Sequence, residues 1–141
     1  MVRCFCCSLV IASVVVGCNG GNSGRATVSG TVKLDGRPVA GARVVFMPME
    51  ISAGQELGSV SYGTTDENGH YSLESRSKMP GATRGRNLVW ISTRRIDVSS
   101  QGKAVSRREF IPRQYNSETA LTFIVPETGE KTADFGLYST Q

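Results

Sequence analysis

The chain predicts an all-β fold, a Greek-key β-sandwich of about seven strands, on three observations. Glycine is abundant, at 16 of 141 residues, and β-branched residues are frequent. No stretch keeps the 3.6-residue apolar spacing of an amphipathic helix. Short alternating runs instead recur between turns rich in Gly, Pro, Asn and Asp, the punctuation of a sandwich.

Each run has a local reason. Residues 27–34 alternate, with Val28, Gly30, Val32 and Leu34 on one face, so Lys33 points outward. Asp35-Gly36-Arg37-Pro38 is a turn, because Asp-Gly favours positive φ and Pro38 cannot donate to a ladder. Residues 42–47 form the next run, with Val44 and Phe46 on one side and Arg43 and Val45 on the other. A loop is expected over 48–56. Residues 57–65 are a run rich in Ser, Thr and Gly. Asp66-Glu67-Asn68-Gly69 is a hairpin turn, and 70–75 returns with Tyr71 and Leu73 inward. Met79-Pro80-Gly81 breaks the chain. Residues 87–94 are a strong strand, 96–109 a polar and basic loop, and 121–125 and 132–138 two closing runs around a turn at 126–129.

The first 18 residues differ in kind. All four cysteines, Cys4, Cys6, Cys7 and Cys18, lie there, and Cys18 closes an apolar run that begins at Ser8 behind a single basic residue, Arg3. The run is short for a membrane span and has the length of a secretory h-region. Its end, Val15-Val16-Gly17-Cys18, resembles the bacterial lipobox. That resemblance implies a signal peptide over 1–17, lipidation (palmitate) of Cys18, and an extracytoplasmic lipoprotein on the cell membrane or outer membrane. Residues 18–26 then read as the lipidated Cys with a flexible Gly/Ser/Asn tether, and 27–141 as one domain.

Charge is unevenly spread. The chain from Cys18 onward carries fifteen basic and twelve acidic residues, a net +3. Residues 84–113 hold eight basic residues against Asp97 and Glu109, a local +6. Arg94, Arg95, Arg107 and Arg108 are the candidate contacts to an anionic surface, whether lipid head groups or acidic envelope polymers. The plainer reading is a solvated face. No nucleic-acid reader motif is present, so nucleic acid is not an expected partner.

Catalytic chemistry finds little to work with. The sole histidine, His70, flanks a turn, and hydrolytic zinc sites need two or three His or Cys ligands. No Gly-x-Ser-x-Gly elbow appears. Asp66-Glu67-Asn68-Gly69 has the flavour of a calcium loop but lacks the later bidentate Glu and suits a hairpin better. Lys33 and Asp134 occupy positions suggestive of an intramolecular cross-link, which the outward direction of Lys33 opposes. Trp90, the one tryptophan, lies on the outer face if Val89 and Ile91 face the core; plain packing, partly covered by 96–109, is the favoured role.

The first half also carries a family pattern. Val28-Ser29-Gly30-Thr31-Val32, then Asp35-Gly36-Arg37-Pro38-Val39-Ala40-Gly41-Ala42-Arg43-Val44, and then Thr65-Asp66-Glu67-Asn68-Gly69-His70-Tyr71-Ser72-Leu73 with Pro80-Gly81, resemble the carboxypeptidase regulatory-like domain. The closing segments, Phe110 to Asn116, Leu121 to Val125 and Asp134 to Leu137, are similar to the ends of small lipoproteins of planctomycete-like bacteria. The resemblance implies a transthyretin-like (prealbumin-type) sandwich that serves as an accessory module, with no catalytic, cofactor or metal site. That fold also hosts hydroxyisourate hydrolases, which rely on several His and Arg residues and a Tyr-Arg-Gly-Ser-type ending. This chain has one His and ends Leu-Tyr-Ser-Thr-Gln.

The expectation is therefore a non-catalytic, lipid-anchored envelope module, monomeric, with a structural or protein-interaction role. A carbohydrate- or peptide-binding module is the alternative, and a hydrolase of the transthyretin-like fold comes third. Expected partners are the membrane, through the lipid, and an envelope protein or polysaccharide.

Overall fold

The computed structural model describes residues 24–49 and 58–139. The expected signal peptide over 1–17, the expected lipidation site Cys18 and the expected tether up to residue 23 lie outside the described residues. The described chain is all-β, with one short 3-10 turn at Arg113–Tyr115.

The strands are β1 (Arg25–Ala26), β2 (Ser29–Leu34), β3 (Arg37–Pro38), β4 (Arg43–Pro48), β5 (Ser61–Thr64), β6 (His70–Ser72), β7 (Glu74–Ser75), β8 (Ala82–Thr83), β9 (Gly85–Ser92), β10 (Arg95–Val98), β11 (Ala104–Arg107), β12 (Thr122–Val125) and β13 (Phe135–Leu137). One sheet runs in the order β12-β9-β4-β5-β7. The other is built on β2, flanked by β13 in parallel and by β3 and β6 in antiparallel pairing. Two pairs stand apart from these sheets, β1 with β8 and β10 with β11.

The two main sheets share one core, a sandwich-like arrangement. Phe46 of β4 and Phe123 of β12 meet Phe135 of β13, with ring centroids 6.2 and 6.1 Å apart. Tyr71 of β6 stacks on Phe135 at 6.4 Å. Val32, Val44, Val89 and Ile91 fill the space between and are fully buried. Alternation along 27–34 and 42–47 groups the faces as the structure has them, with Val28, Val32, Val44 and Phe46 buried and Lys33 exposed, and the structure decides the parity of 87–94, where Val89 and Ile91 are buried.

Three features differ from simple expectation. The run at 70–75 divides at the buried Leu73, so that β6 pairs with β2 and β7 pairs with β5 across the other sheet. Gly63 permits this corner, since a Cβ there would sit 2.3 Å from the Ser72 carbonyl oxygen. Arg25 and Ala26, expected in the tether, instead form the separate β1–β8 pair with Thr83 and Ala82. Finally, the segment expected as a loop over 96–109 forms the β10–β11 hairpin, with Arg95 opposite Arg107 and Val98 opposite Ala104.

The strand β9 sets the long axis. Its first end lies beside the chain entry, where the Arg84 amide donates to the Gly24 carbonyl at 3.0 Å. Its other end leads into the hairpin. At about 3.3 Å per residue its eight residues separate the two ends by roughly 25 Å.

Candidate functional site: the basic hairpin and its clamp

The hairpin closes through a tight loop. The Ser99 amide donates to Lys103 O and the Gly102 amide to Ser99 O, both at 2.8 Å, with Gly102 at φ +74°. This is the geometry in which glycine takes the left-handed position before the strand resumes. The sequence signal was present: Arg95-Ile96-Asp97-Val98 and Ala104-Val105-Ser106-Arg107 both alternate, around a Gly-containing turn. Each arm is only four residues long, so the polar and basic composition of 96–109 outweighs the brief alternation.

Its two faces differ. Arg95, Asp97, Val105 and Arg107 share one face by register. There Asp97 bridges the two arginines, its carboxylate 3.0 Å from Arg95 Nε and 2.9 Å from Arg107 Nε. The hydrogen bond from Arg107, reinforced by Arg95, holds the Asp97 carboxyl below its ordinary value. On the opposite face Ile96 and Val98 are 74% and 72% exposed. Arg94 and Arg108 stand just outside the paired strands, one residue before β10 and one after β11, and both are exposed. The four candidate arginines thus gather at the base of the hairpin. Arg95 and Arg107 share a face and are partly neutralised by Asp97, while Arg94 and Arg108 flank the strands.

A carboxylate clamp ties the base of the hairpin to the body. Glu109 accepts the Thr93 amide at 3.1 Å, the Thr93 hydroxyl at 2.9 Å and the Ile111 amide at 3.0 Å, and also the Ser92 hydroxyl. The one hydroxyl hydrogen of Thr93 lies between Glu109 and the more distant Arg108 O at 3.2 Å, and Thr93 Oγ1 accepts the Phe110 amide. Partial burial pushes Glu109 upward, but these donors outweigh it and the carboxyl lies below its ordinary value. Sequence reading counted Glu109 only as a charge; nothing local marks it as a clamp for residues sixteen positions away.

Trp90 lies on the outer face, opposite Val45 in the register, and is half-buried. It shares a cleft of about 420 Å³ with Arg94, Glu109, Arg113 and Asn116, so its neighbours are the clamp region and not the hairpin strands. On the same outer face the Arg43 guanidinium lies over the Tyr62 ring at 4.9 Å.

A second, polar cleft of about 490 Å³ gathers Thr31, Asp66, His70, Ser72, Thr132 and Asp134. Its carboxylates are engaged in holding backbone. Asp66 accepts the Asn68 and His70 amides, closing the hairpin turn that resembled a calcium loop. Asp134 accepts the Thr31 amide at 2.7 Å and its hydroxyl at 2.8 Å, and Lys33 pairs in register with Gly136 on β13. The Tyr71 hydroxyl donates to Ala133 O at 2.6 Å, and burial drives its phenol well above the ordinary range. Among the described residues no group of three His, Cys, Asp or Glu could hold a metal ion.

These features define a small all-β module with one clamped hairpin that carries Ile96 and Val98, the two most exposed of its large apolar side chains, among arginines. The chain belongs to the family described as a domain of unknown function (DUF6795), which matches residues 28–123 and so takes in both main sheets except β13 and the second half of β12, together with the hairpin. No curated protein matches it. A solved structure, a 9R-lipoxygenase from Cyanothece PCC8801, aligns with a TM-score of 0.41 at 16% identity, over 94% of this chain and 18% of that one. The chain therefore spans less than a fifth of the length of that protein.

Proposed function

We propose that this chain is a non-catalytic, lipid-anchored module of the cell envelope that presents the β10–β11 hairpin to a partner. Its sandwich is read as the transthyretin-like, Greek-key type of the carboxypeptidase regulatory-like domain. Cys18 carries the lipid, and 1–17 is a signal peptide. The observation that carries the interaction role is the hairpin itself: two apolar side chains more than 70% exposed, flanked by arginines, on an element held at its base by Glu109. Free apolar side chains at fixed positions are what a docking surface needs and what a solvated loop does not.

The anchor reading rests on the Val15-Val16-Gly17-Cys18 motif and on the restriction of cysteine to the first 18 residues. Because Arg25 already belongs to the folded unit, only residues 19–23 remain between the anchor and Gly24. They reach about 20 Å fully extended. The bilayer is then nearest the chain entry, and the hairpin projects from the other end of β9.

Substituting Cys18→Ser tests the anchor. The variant should leave the membrane fraction or accumulate with its first 17 residues uncut, since acyl chains supply the membrane affinity. Normal processing with unchanged detergent partitioning rules the reading out.

A further inference from the structure

We infer that the β10–β11 hairpin binds an extended, acidic segment of a partner protein by strand addition to one of its free edges. The inference rests on the interaction-module reading above and names the partner's chemistry.

Three observations carry it. First, the hairpin is a two-stranded sheet that pairs with no other strand among the described residues, so each strand has an open edge. In an antiparallel pair, alternate residues turn their amide and carbonyl away from the partner strand. The Ser99 amide bonds to Lys103 O, which makes Asp97 with Val105 and Arg95 with Arg107 the bonded pairs. The backbone groups of Ile96 and Val98 therefore face out on one edge, and those of Ala104 and Ser106 on the other. Two-stranded ribbons are marginal alone, and a third strand adds backbone bonds and buries apolar surface.

Second, the exposed face is shaped for such a strand. Ile96 and Val98 stand two residues apart on one face, the spacing at which the alternate side chains of an added strand would pack beside them. On the other face, the side toward which Arg107 reaches, its Nη1 lying 3.7 Å from where a Gly41 Cβ would stand, Leu34, Val39, Ala40 and Phe110 line a recess of about 650 Å³ together with Asp35 and Arg37.

Third, charge selects the occupant. Residues 94–108 carry five basic residues and one acidic residue, a net +4. Pairing with a second copy would set two such hairpins together, so self-association is disfavoured, as charged edges of natural sheets generally are. An acidic strand meets complementary charge at Arg94 and Arg108. A bilayer fits less well. The tip is Ser99-Ser100-Gln101-Gly102, with no apolar group to insert, and the hairpin lies at the end of β9 away from the chain entry.

The test uses the full chain in a neutral maltoside detergent, with amide hydrogen exchange as the readout. The probe is a blocked peptide alternating Glu with Val and Thr, and its Lys-for-Glu counterpart is the control. Saturable binding of the acidic peptide alone is expected, with new protection at either Ile96 and Val98 or Ala104 and Ser106. Arg94→Glu with Arg108→Glu should weaken binding about tenfold or more. Ser106→Pro or Ile96→Pro removes an outward amide while sparing the bonds within the hairpin, so one of the two should abolish binding at an unchanged melting temperature. The inference is overturned by the absence of saturable binding, by binding that protects neither edge, or by protection that arises only when an anionic lysolipid is added to the micelle. None of these outcomes depends on Cys18, so failure here is distinct from failure of the anchor.

Discussion

Glu109 and Thr93 meet at the base of the hairpin through two hydrogen bonds, amide to carboxylate at 3.1 Å and hydroxyl to carboxylate at 2.9 Å. This pair is what makes the hairpin a presented element and not a loose excursion from β9. Residues 94–108 leave and return through one fixed gate, to which the Ile111 amide also contributes.

The gate should be acid-sensitive. The Glu109 carboxyl lies below its ordinary value in the folded chain, so its contribution is complete above the unfolded carboxylate value, about 4.3. It is lost as pH falls through the lower, folded value. Glu109→Gln should lower the melting temperature at neutral pH and narrow its gap from the wild type as pH falls from neutral toward about 3. Asp35, Asp97 and Glu130 are lowered too, and the difference between the two proteins isolates Glu109. Parallel pH curves would show that the clamp contributes no charge-dependent stability.

The turn at Gly69 is expected to be intolerant. Gly69 has φ +78°, and a Cβ there would lie 2.6 Å from Val32 O. The Gly69 carbonyl also accepts the Val32 amide at 2.9 Å, so the turn cannot shift without disturbing β2. Gly69→Val should destabilise by roughly 1–3 kcal/mol, combining a disfavoured φ with a steric clash. Denaturant unfolding measures it, and an unchanged midpoint would contradict the assigned turn.

Arg25 marks where the folded unit begins. It is 8% exposed, and its guanidinium donates to Ser59 Oγ at 2.8 Å, to Ser61 Oγ at 2.7 Å and to the Gly81 carbonyl. It thereby ties β1 to the start of β5 and to the turn before β8. Burial lowers its affinity for a proton, and these acceptors offset the lost hydration. A chain beginning at Thr27 should be about 1–3 kcal/mol less stable than one beginning at Asn19, because losing the charged donor leaves the buried Ser61 hydroxyl and Gly81 carbonyl without it. Equal unfolding midpoints for the two lengths would return residues 25–26 to the tether.

From the amino-acid sequence alone follow the all-β class, the alternation of faces along 27–34 and 42–47 and the turn at 66–69. These follow from period-two alternation and from turn residues that act within four or five positions. It also carries the Cys18 motif, whose chemistry is local. Arg94, Arg95, Arg107 and Arg108 were legible as a charge cluster. The meeting of Arg95 and Arg107 around Asp97 was not, because it follows from strand register across a turn. Only tertiary structure decided that 70–75 changes sheets at Leu73, that Arg25 is buried, and that Glu109 is a clamp. Each depends on partners between 16 and 56 residues away, or on a glycine that lets two backbones touch. Alternation tells a strand which side is inward. It does not say which neighbour the strand will find, because backbone hydrogen bonds are the same for every sequence and register is chosen by packing at a distance.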